Sequence, residues 1–327
     1  MLKTIATFIL GFIMLSSFTS ASAEDQFEPN SKTIPEELAF IPESYKRTSS
    51  HPGTLEKLQY ETWESLSYEK HAQRLKKEAW VYLPYGYDSE KQYNIFYISH
   101  GGWSDETSTL GTATHPKYLK HAIDHAIEDG KMVPMIIVCP TYNNLSEKDS
   151  GSYSLALELT NNFHNELVND LIPAAESKYH TFADYDTSLE GQKASRDHRG
   201  FGGFSMGSVN TWHTFQYCLD SFRYFMPMSG NMGDGAWAKQ TVLSSEWTDS
   251  DFFIWSATGT SDFAYSSFSY QIDRMATRYK DVFHLADSET KGNLSFRIRE
   301  GGSHDEEANF DYTFNALCWF WNTEGQS

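Results

Sequence analysis

Short apolar runs alternate with amphipathic stretches along most of the chain. Residues 79–83, 95–99, 135–139, 200–204, 224–228, 252–257 and 294–299 are brief, mostly apolar or aromatic, and bounded by Gly, Pro, Ser or Asp. That is the pattern of buried strands. Between them lie helical stretches at 118–128, 153–179, 209–219, 268–279 and 310–321. The second of these carries Leu155, Leu159, Phe163, Leu167 and Leu171 at helical spacing. Strand and helix in alternation predict an α/β fold, a mostly parallel central sheet with helices on both faces. Residues 24–53 carry Pro29, Pro35, Pro42 and Pro52 without sustained periodicity, and read as an N-terminal lead-in to one domain spanning 54–327. No internal repeat interrupts this order.

The first residues form a different pattern. Lys3 precedes an apolar run, Ile5 to Leu15, that ends near the small residues Ala21-Ser22-Ala23. A run this short, with such an exit, predicts a signal peptide over 1–23 and a secreted mature chain beginning near Glu24, with no membrane span after cleavage. The net charge of −18 disfavours a nucleic-acid partner, because phosphates require a basic face. The three cysteines, Cys139, Cys218 and Cys318, lie far apart in apolar settings and read as buried free thiols. Nothing resembles the CxxC spacing of a metal site.

Candidate chemistry centres on Gly203-Phe204-Ser205-Met206-Gly207. A G-x-S-x-G pentapeptide between a strand and a helix is the pattern of a nucleophile elbow, which makes Ser205 the expected nucleophile. A serine hydroxyl needs a base, and the base needs a carboxylate to hold its tautomer. After Ser205 the histidines are His213, His284 and His304. His213 lies on the helix leaving the elbow and His284 in a packed or surface segment, whereas His304 follows a strand and the Gly301-Gly302 turn. Among the acids, Asp262 follows the strand at 252–257, and Asp234 is the runner-up because it too follows a strand. Asp249, Asp251, Asp273 and Asp287 read as solvated charges. Met206 supplies one oxyanion amide, and Gly102 or Trp103, in His100-Gly101-Gly102-Trp103, the second. Trp103, Tyr142, Trp237 and Tyr265 lie on loops after strands and are the expected aromatic walls of a substrate pocket.

The stretch from Ser195 through Arg199 to Gly207, with Phe225-Met226-Pro227-Met228-Ser229-Gly230, closely resembles the feruloyl esterase domains of carbohydrate esterase family one. Val81-Tyr82-Leu83-Pro84-Tyr85-Gly86-Tyr87, Thr258-Gly259, Asp262-Phe263-Ala264-Tyr265 and Gly301 to His304 extend the resemblance in order over 54–320. It implies an α/β-hydrolase fold, no cofactor, hydrolysis of hydroxycinnamate esters on arabinoxylan or its fragments, and catalytic roles for Ser205, Asp262 and His304. The chain departs from the family at Ser208, where glycine is frequent, and at Asn231-Met232, where an acidic and an aromatic residue are frequent. The alternatives are an acetyl xylan esterase, an acyltransferase, and a non-catalytic carbohydrate-binding protein.

Overall fold

A computed structural model describes residues 27–322; the leader expected at 1–23 lies outside them. The strands are β1 (Thr54–Trp63), β2 (Arg74–Leu83), β3 (Asn94–Ser99), β4 (Met135–Cys139), β5 (Arg199–Phe204), β6 (Tyr224–Met228), β7 (Phe253–Gly259) and β8 (Leu294–Arg299). They form one 8-stranded sheet in the order β1-β2-β4-β3-β5-β6-β7-β8. β1 and β2 pair antiparallel, β2 is antiparallel to β4, and every later neighbour is parallel. This is an α/β-hydrolase sheet.

Among the described residues eight α-helices cover it: α1 (Tyr118–Glu128), α2 (Tyr153–Glu166), α3 (Ile172–Glu176), α4 (Leu189–Ala194), α5 (Met206–Tyr217), α6 (Ala236–Ser244), α7 (Tyr265–Arg278) and α8 (Glu306–Leu317). Two apolar clusters lie on the two faces. Leu159 and Phe163 of α2, Trp212 and Phe215 of α5 and Ile272 and Met275 of α7 fill one. Leu119 and Ile123 of α1, Phe310 and Leu317 of α8, and Ile34, Ile41 and Tyr45 of the lead-in fill the other. Such two-sided burial is why the central strands read as continuous apolar runs.

Several elements, α4 among them, differ from the sequence expectation. β1 was not anticipated, because Glu56, Lys57, Gln59 and Glu61 interleave with Leu55, Leu58 and Tyr60 and dilute its apolar signal; it is an edge strand, buried on alternate residues only. The helix expected over 153–179 is divided by a π-helical turn, Leu167–Leu171. Pro173 lies just beyond it, and a proline donates no amide and crowds the carbonyl four residues back. α6 was also missed: its mixed sequence, AWAKQTVLS, has little apolar periodicity.

A buried ion pair ties β5 to α3. The Arg199 guanidinium donates to both Glu176 oxygens at 2.7 Å, and both side chains are fully buried. Tyr97 and Thr181 hydroxyls donate to the same carboxylate. With every partner in place the network is satisfied, but removing one member strands a buried charge. Glu176→Ala is therefore expected to lower unfolding free energy by roughly 3–5 kcal/mol in denaturant titration. A loss under about 1 kcal/mol would show that the arginine finds water or another partner.

Candidate active site

Parallel registry gathers the site at one end of the sheet. Ser99 is level with Gly203, and Phe204 with Met228. Met228 is level with Ala257, and Gly259 with Arg299. The loops that follow, carrying residues 100–103, 205, 229, 262 and 304, therefore emerge side by side. Close packing needs glycine at two points. A Cβ on Gly207 would lie 2.3 Å from the Ser99 carbonyl oxygen, and one on Gly259 2.1 Å from that of Gly302.

Ser205 stands between β5 and α5 with φ 61° and ψ −120°. A non-glycine residue in this region is strained and persists only because its surroundings hold it. Its amide is tied to the Met228 carbonyl at 2.9 Å. Met206, the next residue, opens α5, so its amide belongs to the first turn, where no helical carbonyl can accept it.

His304 Nδ1 lies 2.8 Å and 2.9 Å from the two Asp262 carboxylate oxygens. Burial by itself would raise the Asp262 carboxyl. Hydrogen bonds from His304, the Ala264 amide and the Ser229 hydroxyl more than offset it, and the group lies below the usual carboxylate range. An ionised Asp262 holds the proton of His304 on Nδ1 and leaves Nε2 as the basic nitrogen. The rings of Phe204 and Phe263 pack on the imidazole at 4.5 Å and 4.1 Å. Ser205 and His304 line one cleft of about 290 Å3, together with Gly102, Trp103, Ser108 and Phe263.

The competing residues are elsewhere. Asp234 accepts from the Ala236 amide and the Tyr279 hydroxyl. His213 is buried in α5, which pushes it down to about 4, and His284 pairs with Asp249 on the surface.

The loop of residues 100–103 is braced from below. Tyr142 donates its hydroxyl to the Gly101 carbonyl at 2.8 Å and its ring stacks on His100 at 4.2 Å. His100 donates Nδ1–H to the same carbonyl at 2.7 Å, so its Nε2, 2.8 Å from Thr141 Oγ1, is the acceptor. Burial pushes His100 down to about 4, which keeps it neutral and in this arrangement. In a trans peptide the Gly102 N–H is directed opposite to the Gly101 carbonyl, away from Tyr142 and His100 and toward the cleft that Gly102 lines. The Trp103 amide is already engaged, donating to the Ser150 carbonyl at 3.0 Å. Of the two second donors expected, Gly102 is the one whose amide has no acceptor among the described residues.

The aromatic wall is also rearranged. Trp103 lines the cleft and is 75% exposed. Tyr142 is only 1% exposed and braces the loop instead of facing a ligand. Trp237 packs on Trp212 and Phe215 and donates to the Met232 carbonyl, half-buried against the core cluster. Tyr265 opens α7 and is not part of the cleft lining. Phe263 was not singled out from the sequence, yet it is 81% exposed and lines the cleft beside His304. Its position directly after Asp262 was the available signal.

Comparison with known proteins now adds to the geometry. The Esterase family model matches residues 72–284. The chain belongs to the Esterase family. This esterase is 37% identical over 249 residues to endo-1,4-beta-xylanase Y of Acetivibrio thermocellus, a match covering 74% of the chain but only 22% of the xylanase. It superposes on a mutant feruloyl esterase module from Clostridium thermocellum, complexed with sinapinate, with a TM-score of 0.75 and 32% identity, over 90% of this chain and 96% of that one. A solved structure named FAE gives a TM-score of 0.75 at 33% identity over the same shares. A ferulic acid esterase of carbohydrate esterase family one from Anaeromyces mucronatus shares the fold, with a TM-score of 0.60 at 18% identity over 88% of this chain and 99% of that one. The esterase is a serine carboxylic ester hydrolase. Among the described residues no helix is long and apolar enough to cross a membrane, and the described cysteines are all free thiols.

Proposed function

We propose that the protein is a secreted feruloyl esterase that releases hydroxycinnamate from arabinoxylan or its fragments. The observation that carries this reading is the Asp262–His304 pair meeting Ser205 in one cleft whose mouth exposes Trp103 and Phe263. The Ser205 hydroxyl attacks the ester carbonyl while its proton passes to His304 Nε2. The oxyanion is held by the amides of Met206 and Gly102. Collapse expels the sugar alcohol, which takes the proton from His304, and leaves an acyl-enzyme. Water, deprotonated by His304, then attacks the acyl carbon; the carboxylic acid departs and Ser205 regains its proton. The feruloyl esterase module of like fold that was solved with sinapinate supports the aromatic acyl group, and the leader pattern of Lys3, Ile5 to Leu15 and Ala21-Ser22-Ala23 supports export.

The experiment is a substrate panel of methyl ferulate, p-coumarate, caffeate, sinapinate and acetylated xylan. Aryl esters are expected to be preferred in kcat/KM. Trp103→Ala and Phe263→Ala should each lower aryl turnover about fivefold, on the order of 1 kcal/mol of ring contact, while sparing acetyl turnover. A preference for acetylated xylan, or equal losses on both classes, would replace the feruloyl reading with that of an acetyl esterase.

A further inference from the structure

Beside the catalytic cleft lies a second and larger cavity, of about 680 Å3, that the ester chemistry leaves unused. The register shows where it comes from. Trp80 of β2 is level with Cys139, the last residue of β4. The rest of the β1–β2 hairpin, with Gln59 opposite Glu78 and Glu61 opposite Lys76, therefore runs on past the carboxyl end of β4. The loop leaving β4, from Thr141 to Glu147, and Glu106 of the segment following the oxyanion loop form the other wall. The two cavities share a partition: Ser104 lines the cleft and Glu106 the groove, and Thr141 on the groove side bonds His100 on the cleft side.

The partition and floor are rigid. Asn143 donates to the Ser104 and Glu147 carbonyls and accepts from the Ser150 amide. Asn144 bridges to Glu64 and Ser65 of the hairpin side. Lys77 and Tyr60 are both bound to the buried Glu166. The side chains that remain without a partner from another residue among those described are Lys76, Glu106 and Glu147, and Gln59 has spent only its amide N–H, on Glu78. Burial, with Asp105, Glu78 and Glu147 nearby, raises the Glu106 carboxyl. Apart from the Tyr60 ring, an occupant of this groove meets only polar and charged side chains, with no continuous apolar wall to hold a lipid-like ligand. It meets Glu61, Glu78, Glu106 and Glu147 against Lys76 and an already neutralised Lys77, which excludes phosphates and other polyanions. What remains is a neutral ligand rich in hydroxyls, each able to donate to a carboxylate and accept from an ammonium or amide.

We infer that this groove is a subsite for the saccharide on the alcohol side of the ester, holding a stretch of neutral sugar chain alongside the oxyanion loop. The inference rests on the proposed reading that the leaving alcohol is a sugar. It assigns Glu106 and Lys76 to polysaccharide recognition and leaves acyl recognition to the cleft.

The test compares full-length wild type with Glu106→Ala and Lys76→Ala on a feruloylated arabinoxylo-oligosaccharide and on methyl ferulate, which has no sugar. Each variant is expected to raise KM for the oligosaccharide about tenfold, the worth of one or two hydrogen bonds, with kcat and methyl ferulate kinetics unchanged. Equal effects on both substrates, or none on either, would overturn the assignment. A separate titration of unesterified xylo-oligosaccharide, followed by backbone amide shifts, should perturb residues 59–61, 76–78 and 141–147 in wild type and not in Glu106→Ala. That arm needs no acyl group, so it tests the groove even if methyl ferulate proves a poor substrate. Shifts produced by calcium chloride but not by the oligosaccharide would make the groove a cation site and sink the saccharide reading.

Discussion

Ser205→Ala is expected to abolish turnover of methyl ferulate, with kcat falling by roughly five to six powers of ten, the loss seen when a triad nucleophile is removed. The fold should survive. Alanine keeps the Cβ already accommodated at φ 61°, and the Ser205 amide still reaches the Met228 carbonyl. Circular dichroism and thermal midpoint should match wild type, and the variant should still bind ferulate. Retention of more than about a tenth of the wild-type rate, with the fold intact, would remove Ser205 from the mechanism.

Asp262→Asn should lower kcat by about four powers of ten. An asparagine can present its amide to Nδ1 and so stabilise the imidazole with its proton on Nε2, where it cannot accept the serine proton. Asp234→Asn is the control. Among the described residues Asp234 accepts from the Ala236 amide and the Tyr279 hydroxyl, at the entry to α6, and its replacement should change stability by no more than about 1 kcal/mol and leave kcat in place. The reverse ranking in steady-state kinetics would transfer the orienting role to Asp234.

The centre of the sheet was legible because its strands are buried on both faces and their apolar runs end in turn residues. The same logic placed Ser205, Asp262 and His304 at strand ends. Strand position alone did not separate Asp262 from Asp234; in the structure only Asp262 reaches His304. What local pattern could not supply was direction. Tyr142, Trp237 and Tyr265 each follow a strand, as Trp103 does, but whether a ring faces a cleft or the core depends on what packs behind it. For Tyr142 that is His100 and the Gly101 carbonyl; for Trp237 it is Trp212 and Phe215. Phe263 escaped notice because a single exposed aromatic in a loop, here directly after Asp262, has no periodicity to betray it. β1 escaped because half its residues face water.

The lead-in has a bearing on where this unit can be cut. The Asn30 amide donates to Glu289, Ile34 to the Asp287 carbonyl, and Ile41 to Asp311, which in turn pairs with Arg299 at the end of β8, upstream of His304. Trp319 donates back to the Lys32 carbonyl, and Ile34, Ile41 and Tyr45 close the apolar face over α1 and α8. A modular boundary drawn at Gly53, where the recognisable pattern begins, would strip that cover and leave Asp311 and Glu289 short of donors. A catalytic unit cut from this chain therefore has to start upstream of Asn30 to keep these contacts.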